Sequence, residues 1–521
     1  MADKQAFGVV GLGVMGRNLA LNIERNGFSI AVFDRSSDKN AEFTAKYAPG
    51  KKAKVARDLG DLAAMLEKPR RILLMVPAGG PVDAAVEALK PHLSDGDIII
   101  DGGNSLYSDT ERRVAALDAS GTGIKFFGMG VSGGEDGALW GPSMMPGGDT
   151  DAYAHLKPVL DKIAAKTSDG PCVTYCGTKG AGHFVKMTHN GIEYGDMQLI
   201  AEAYDLLKNI GGLTNSQIKD VFVEWNNSEL QSFLIERTAK VVDFPDPKDP
   251  KTPLVENIRD VVGMKGTGTW TVKASLDTLV PVPTMNAAVE AREMSNLKEE
   301  RVAASKILAG PTPAKFTGDI KAFIADVKAA LYCSKVCSYA QGFAMLSAAN
   351  KQFKYGMQLP ELARIWKAGC IIRAAFLDDI KKALINEPAV PNLLCTKFFK
   401  DQLASRQDAW RRIIVISVNS GLPVPAFSAS LNYYDAYRRA KLPGNLIQGQ
   451  RDFFGAHTYE RLDNPGTFIH TQWAPAPPLK ATNFRRKRLL VTPATREFLG
   501  RRCLFLATVA SRNGKCTLPR S

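Results

Sequence analysis

Short apolar runs alternate with amphipathic stretches in the first third of the chain, and the period then changes. The apolar runs fall at residues 6–10, 29–33, 71–76, 97–100 and 126–131. Each is short and bounded by Gly, Asp, Asn or Pro, so each reads as a buried strand. Helical patterns separate them, the first at residues 17–25. This alternation predicts an α/β fold, a Rossmann-like doubly wound sheet. From about residue 179 a long helical period takes over and persists to about residue 440, with the longest stretches at 319–351 and 359–385. A large all-α domain is therefore expected after the sheet, with the boundary near residues 178–182. Within it, Val223-Glu224-Trp225 before Phe233 is echoed by Arg364-Ile365-Trp366 before Phe376, which hints at a duplicated helical unit.

Length and composition narrow the class. A chain of 521 residues predicts two or three domains with ample core. With 45% apolar and 23% charged residues it reads as a soluble globular protein, and no apolar run is long enough to span a bilayer. Met1 to Gln5 carries no signal-peptide pattern, so a cytoplasmic protein is expected. The eight cysteines include two C-x3-C pairs, Cys172/Cys176 and Cys333/Cys337, without matching histidines. Free thiols and no metal site are expected. The net charge of +14 is concentrated: residues 474–521 hold eleven Lys or Arg against the single acid Glu497, so the rest carries only +4. That tail has no helical or strand period and reads as a disordered extension. Arg485-Arg486-Lys487-Arg488 matches a crude nuclear-localisation or nucleic-acid pattern, but short basic runs are common in extensions and a nucleic-acid partner is not expected.

Candidate chemistry starts at the first strand end. Gly11, Leu12, Gly13, Val14, Met15 and Gly16 form G-x-G-x-x-G between strand and helix. Gly11 allows a tight turn, Gly13 lets backbone approach a pyrophosphate, and Gly16 lets helix and strand pack closely. Dinucleotide binding follows, against the plainer reading of a structural glycine turn. The second strand ends at Asp34-Arg35-Ser36. An acid there suits the 2′-hydroxyl of NAD, whereas Arg35 and Ser36 suit the 2′-phosphate of NADP. Later strand ends carry Val76-Pro77-Ala78 and a Gly-rich turn with Asn104. Ligands of such sheets bind beyond the carboxyl ends of strands, so Asn104 is placed to touch cofactor or substrate. The next stretch, Ser132-Gly133-Gly134 on through Gly141-Pro142-Ser143 and Pro146-Gly147-Gly148, reads as a glycine-rich loop whose backbone amides and Ser132 hydroxyl could hold a carboxylate, against the plainer reading of a flexible loop.

The stretch Lys186 to Tyr194 opens a helical run in which Lys186, Asn190 and Glu193 share one face, flanked by His189 and Tyr194. Lys186 and Glu193 are about 10 Å apart along the axis. In a dry cleft the lysine can lose its proton near neutral pH and the glutamate can keep one, which suits proton transfer at both ends of a small polyol acid. A solvated ion pair is the plain alternative. Lys265 and Thr267 in a glycine loop, Arg292 on a helix, and Arg451 near the end, with His457 after it, would together anchor a dianionic phosphate, although each cation alone is more often surface.

These residues resemble a known family. From about residue 5 to Trp473 the chain is similar to decarboxylating 6-phosphogluconate dehydrogenases, through Gly11 to Asn22, Asp101 to Ser105, Val131 to Gly148, Lys186 to Tyr194, Gly263 to Trp270 and Leu446 to Tyr459. The resemblance implies oxidation and decarboxylation of 6-phospho-D-gluconate to ribulose 5-phosphate with NADP, in the pentose phosphate pathway. It implies Lys186 as base and Glu193 as acid. It gives Asn104, Ser132, Gly133, Gly134, His189 and Asn190 to the sugar acid, and Tyr194, Lys265, Thr267, Arg292 and Arg451 to the phosphate. Arg451 and His457 would come from the partner in a homodimer. The implied organisation is a coenzyme domain at 1–180, a helical substrate and dimerisation domain at 181–440, a segment at 441–473 that reaches into the partner, and the extension at 474–521. NADP is the implied coenzyme through residues 11–16, 34–36, 76–78 and Asn104. The family usually has Asn where Asp34 stands and often Lys where Pro77 stands, which leaves NAD open.

Overall fold

The computed structural model describes residues 4–473 except 313, so the reading of 474–521 as a disordered basic tail lies outside the described residues. The chain forms two compact units divided between residues 439 and 440.

The first unit opens with a seven-stranded sheet in the order β3-β2-β1-β4-β5-β6-β7. Its strands are β1 (Phe7–Val10), β2 (Ile30–Phe33), β3 (Ala53–Val55), β4 (Arg71–Leu74), β5 (Ile98–Asp101), β6 (Lys125–Ser132) and β7 (Ser143–Gly147). The pairs from β3 through β6 are parallel, and β7 runs antiparallel to β6, with Val131 opposite Met144. The five expected strands are all present. β3 and β7 were not expected: β3 is three residues among lysines, and β7 lies inside the stretch read as a glycine-rich loop. The loop reading is corrected further, because Gly134–Trp140 is a short helix entered through Gly133 at φ 117° and Gly134 at φ 63°. Both faces of the sheet are apolar and covered, as a parallel sheet requires.

The strand order reverses between β1 and β4, and that switch point opens the crevice used below. The helical body packs against the β6–β7 end of the sheet, with the helix Ala181–Asp205 lying over β6 and the turn after residue 365 bonded to β7. Its longest helix, Ile320–Phe353, has 34 residues and buries a continuous apolar strip. The stretch 359–385 is not one helix. Leu359–Ile365 stops, an irregular turn follows, and Leu377–Asn386 resumes. The cause is Gly369 at φ 66°: its carbonyl accepts from Ser143 N at 2.8 Å, and a Cβ there would lie 2.6 Å from Gly141 O. The two echoed segments pair with each other. Phe233 N donates to Arg373 O (3.0 Å), Ala375 N donates to Gln231 O (2.9 Å), and Trp225 and Trp366 are both fully buried.

In the second unit, the helix Gly444–Gly455 precedes an antiparallel hairpin of Tyr459–Arg461 and Asn464–Ile469. Asp452 holds it together, accepting from Thr458 N, His470 Nδ1, Thr471 N and Trp473 Nε1 at 2.9–3.0 Å. Burial alone would raise the Asp452 carboxyl, but these donors draw it down to about 2.

Candidate active site

Two sites share the carboxyl edge of the sheet. The first is a cleft of about 760 Å³ lined by Gly11, Gly13, Val14, Met15, Gly16, Asp34, Arg35, Lys39, Val76, Pro77 and Lys265, among others. Gly11 sits at φ 98°, and a Cβ on Gly13 would project into open space. Gly13 is also the N-cap of the helix Val14–Arg25, and no side chain caps that end. Free amides at a helix N-terminus beside a glycine cradle fit a pyrophosphate. Leu12 is buried beneath the cradle, and Ser36 caps the next short helix by accepting from Lys39 N.

Asp34 is not a free carboxylate. Its oxygens accept from Leu12 N at 2.7 Å and Ser36 N at 2.9 Å, with Lys39 Nζ 3.5 Å away. Burial pushes its pKa up, yet the amides of Ser36 and Leu12, with Lys39, leave it below its ordinary value. Ala78 and Asn104 are exposed at their turns, the latter above an Asp101 that accepts from Gly103 N and Ser105 Oγ.

The second site lies on the helix Ala181–Asp205, which begins one turn earlier than the sequence pattern suggests and is buried along almost its whole length. The solvated ion pair is thereby excluded: Lys186 is 6% exposed and His189 fully buried. Lys186 Nζ lies 3.4 Å from His189 Nδ1, which is 3.0 Å from Asn190 Oδ1 and 3.8 Å from Glu193 Oε2. His189 Nε2 is 3.2 Å from Ser132 Oγ at the end of β6. With Asn190 as acceptor, Nδ1 carries the ring proton and Nε2 accepts from the Ser132 hydroxyl.

Electrostatics follow from burial. It lowers the pKa of Lys186, against the opposing pull of Glu193. It raises that of Glu193, against Lys186 and Arg292. It holds His189 well below the ordinary imidazole value, helped by Lys186. Burial thus works toward the neutral form of both groups, the uncharged amine and the protonated carboxyl, while their mutual attraction works against it.

The outer wall is made by the 263–268 segment and the helix Pro283–Asn296. The Arg292 guanidinium stacks 3.5 Å from the Tyr194 ring centroid, and its Nη1 donates to Gly263 O at 3.4 Å. Burial holds Arg292 below its usual pKa. Thr267 begins the helix Thr267–Asp277 and is buried, while Lys265 lines the coenzyme cleft. The 263–268 segment thus borders both sites. Arg451 and His457 belong to the second unit, where Arg451 Nη1 donates to Gln448 Oε1 at 3.0 Å and His457 follows the helix end.

Three features escaped the sequence reading. Gly130, in β6, backs directly onto Lys186: a Cβ there would collide with Lys186 Cβ and lie 2.7 Å from its Cγ. A glycine inside a strand signals such close approach, so Gly128-Met129-Gly130 carried that hint. Cys370 lies buried within electrostatic reach of both Lys186 and Glu193, and a buried pair, Asp196 and Lys335, lies one turn beyond Glu193. Their partners are too distant in sequence to be read from a pattern. Among the described residues no group of three or more His, Cys, Asp or Glu is arranged to hold a metal ion, and no helix is long and apolar enough to cross a membrane.

A doubly wound sheet with a glycine cradle at its switch point, and a buried lysine laid along its carboxyl edge, defines a dinucleotide-binding dehydrogenase. Residues 6–177 match the model of the NAD binding domain of 6-phosphogluconate dehydrogenase, and residues 182–473 match that of its C-terminal domain. The chain belongs to the 6-phosphogluconate dehydrogenase family. It is 59% identical to the decarboxylating 6-phosphogluconate dehydrogenase of Synechococcus elongatus, over 90% of this chain and 99% of that one. It is 52% identical, with the same coverage, to the NADP(+)-dependent, decarboxylating enzyme of Bacillus subtilis. Among solved structures, the Plasmodium falciparum 6-phosphogluconate dehydrogenase, studied apo, with NADP+ and with 6-phosphogluconate, superposes with a TM-score of 0.86 at 40% identity, over 90% of this chain and all of that one.

Proposed function

We propose that this chain catalyses the oxidative decarboxylation of 6-phospho-D-gluconate to D-ribulose 5-phosphate and carbon dioxide, with reduction of NADP, as a homodimer in the cytoplasm. The observation that carries this reading is the buried Lys186, set against His189, Asn190 and Ser132 on a helix it shares with Glu193. The amine of Lys186 takes the proton of the C3 hydroxyl. The cleft residues Gly11 to Gly16 would hold NADP, whose nicotinamide would supply the acceptor for the C3 hydride. The product is a β-keto acid, and Lys186, now an ammonium, hydrogen-bonds its C3 oxygen. Carbon dioxide leaves as the C1–C2 electrons move into that carbonyl, and Lys186 returns the proton to give an enediol. Glu193 then protonates the former C2, which becomes C1 of the ketose, while Lys186 takes the proton from the oxygen that becomes its carbonyl.

Asn104, Ser132, Gly133, Gly134, His189 and Asn190 hold the sugar acid in this reading. Tyr194, Lys265, Thr267 and Arg292 hold the phosphate, with Arg451 and His457 from the partner subunit. The cradle Gly11 to Gly16, Asp34 to Ser36, Val76 to Ala78 and Asn104 hold the coenzyme. The preference for NADP is supported by Asp34, whose oxygens are engaged by two amides beside Lys39, and by Arg35 in the cleft. NADPH formation from 6-phosphogluconate, followed at 340 nm, is the test; its absence overturns the proposal. Shared sites have their own test. Lys186→Ala and Arg451→Ala subunits, each inactive alone, should recover about a quarter of normal activity on random mixing, since only heterodimers hold an intact site.

A further inference from the structure

Glu193 and Asp196 stand on successive turns of the same helix, about 4.5 Å apart along its axis. Their surroundings differ. Asp196 Oδ2 accepts from Lys335 Nζ at 2.6 Å, and the two side chains are 1% and 0% exposed. Tyr339 OH lies 3.3 Å from the same oxygen but 2.7 Å from Ile372 O, so its single proton goes to the carbonyl and Lys335 is the main partner. Asp196 Oδ1 is buried without a partner. Such a pair is an expensive way to hold two helices together, because desolvation offsets most of the attraction and apolar side chains would serve as well. Its place beside Glu193 calls for a reason connected with that residue.

Several groups face Glu193. Its own helix presents Lys186, His189 and Asp196, and the helix Pro283–Asn296 presents Arg292. The helix Ile320–Phe353 contributes Tyr339, and the turn after residue 365 contributes Cys370, whose thiol burial pushes up to about 12. Of these only Asp196 brings a fixed negative charge. Burial raises its carboxyl pKa above the ordinary value, with the ammonium of Lys335 in partial opposition; the 2.6 Å bond from Lys335 Nζ holds the ionised form, because a protonated Asp196 would strand Lys335 as an unpaired buried charge.

We propose that Asp196, held by its bond to Lys335, is a positioning residue that adds to burial in keeping the proton on Glu193 until the enediol forms. Two carboxyls one helical turn apart on the same face resist double ionisation, and the one without a bonded cation keeps the proton. Lys335 therefore decides which carboxyl is the acid. The inference rests on the reading of Glu193 as acid.

The test is the pH profile of turnover, with exchange of the C1 hydrogens of ribulose 5-phosphate into D2O, measured on the enzyme with NADPH bound. In Asp196→Asn, and in the charge-neutral Asp196→Asn/Lys335→Met, the alkaline limb should move down by roughly one pH unit, with the KM for NADP unchanged. Glu193→Gln should lose exchange altogether. If it keeps exchange, the acid assignment itself fails. If it loses exchange while the Asp196 variants, folded by circular dichroism, keep the original limb, Asp196 is only structural and the proposal is overturned. Should the single variant not fold, the double variant decides, since it leaves no unpaired charge.

Discussion

The coenzyme cleft and the Lys186 pocket lie on the same edge of one sheet but are built by opposite means. The cleft is made of backbone: glycines, a helix N-terminus without a side-chain cap, and amides that have already claimed Asp34. The pocket is made of side chains on a buried helix, with partners from β6, the helix Pro283–Asn296 and the turn near Cys370. Backbone sites recognise shape and charge and tolerate change in nearby side chains. A side-chain site works by shifting proton affinities, so it depends on dryness and on close packing.

The largest expected break in that contrast is Lys186→Ala, which should lower kcat by about 10³-fold or more and leave the dissociation constant for NADP, measured by fluorescence titration, within about twofold. A Lys186→Ala protein that lost NADP affinity would join the two sites energetically. Next comes Gly130→Ala. Its methyl would collide with Lys186 Cβ, so kcat should fall about 10²-fold, with stability lowered by about 1–3 kcal/mol in urea unfolding. Arg292→Ala removes the guanidinium stacked on Tyr194 and should raise the KM for the sugar phosphate by about tenfold or more, with a smaller change in kcat; an unchanged KM removes it from the phosphate site. The smallest effect belongs to the cleft. Asp34→Asn deletes a charge already neutralised by Lys39 and two amides, so the NADP over NAD ratio of kcat/KM should rise only about threefold, for about 0.6 kcal/mol, in initial-rate assays.

The contrast also explains what the sequence could say. Gly11 to Gly16 is legible because a local turn, a helix start and a strand end are all encoded within a few residues. The shared face of Lys186, Asn190 and Glu193 is legible because helical period is local too. What the pattern could not carry is which surroundings make that face dry. Lys335 meets Asp196 across 139 residues, and Glu202 takes the amides of Ala426 and Phe427 across 224 and 225. The uninterrupted helix expected at 359–385 failed for the same reason, since Gly369 obeys β7 and not its own neighbours. Strand β7 itself was hidden by Pro146 and its flanking glycines, which read as a loop until the antiparallel register with β6 is seen.

That seam at β7 bears on how the chain is made. The Ser143 amide bonds to Gly369 O, and the Ser143 hydroxyl to Ile365 O, 222 residues further along. Most of that edge is bonded early, Met144 N to Cys172 O and Cys176 N to Pro146 O, so only the Ser143 end of the strand waits for residues 365–369 to emerge. During that interval one corner of the sheet lacks its partner, and hydrogen-exchange protection of the Ser143 amide should appear only once residue 369 has been made and has docked.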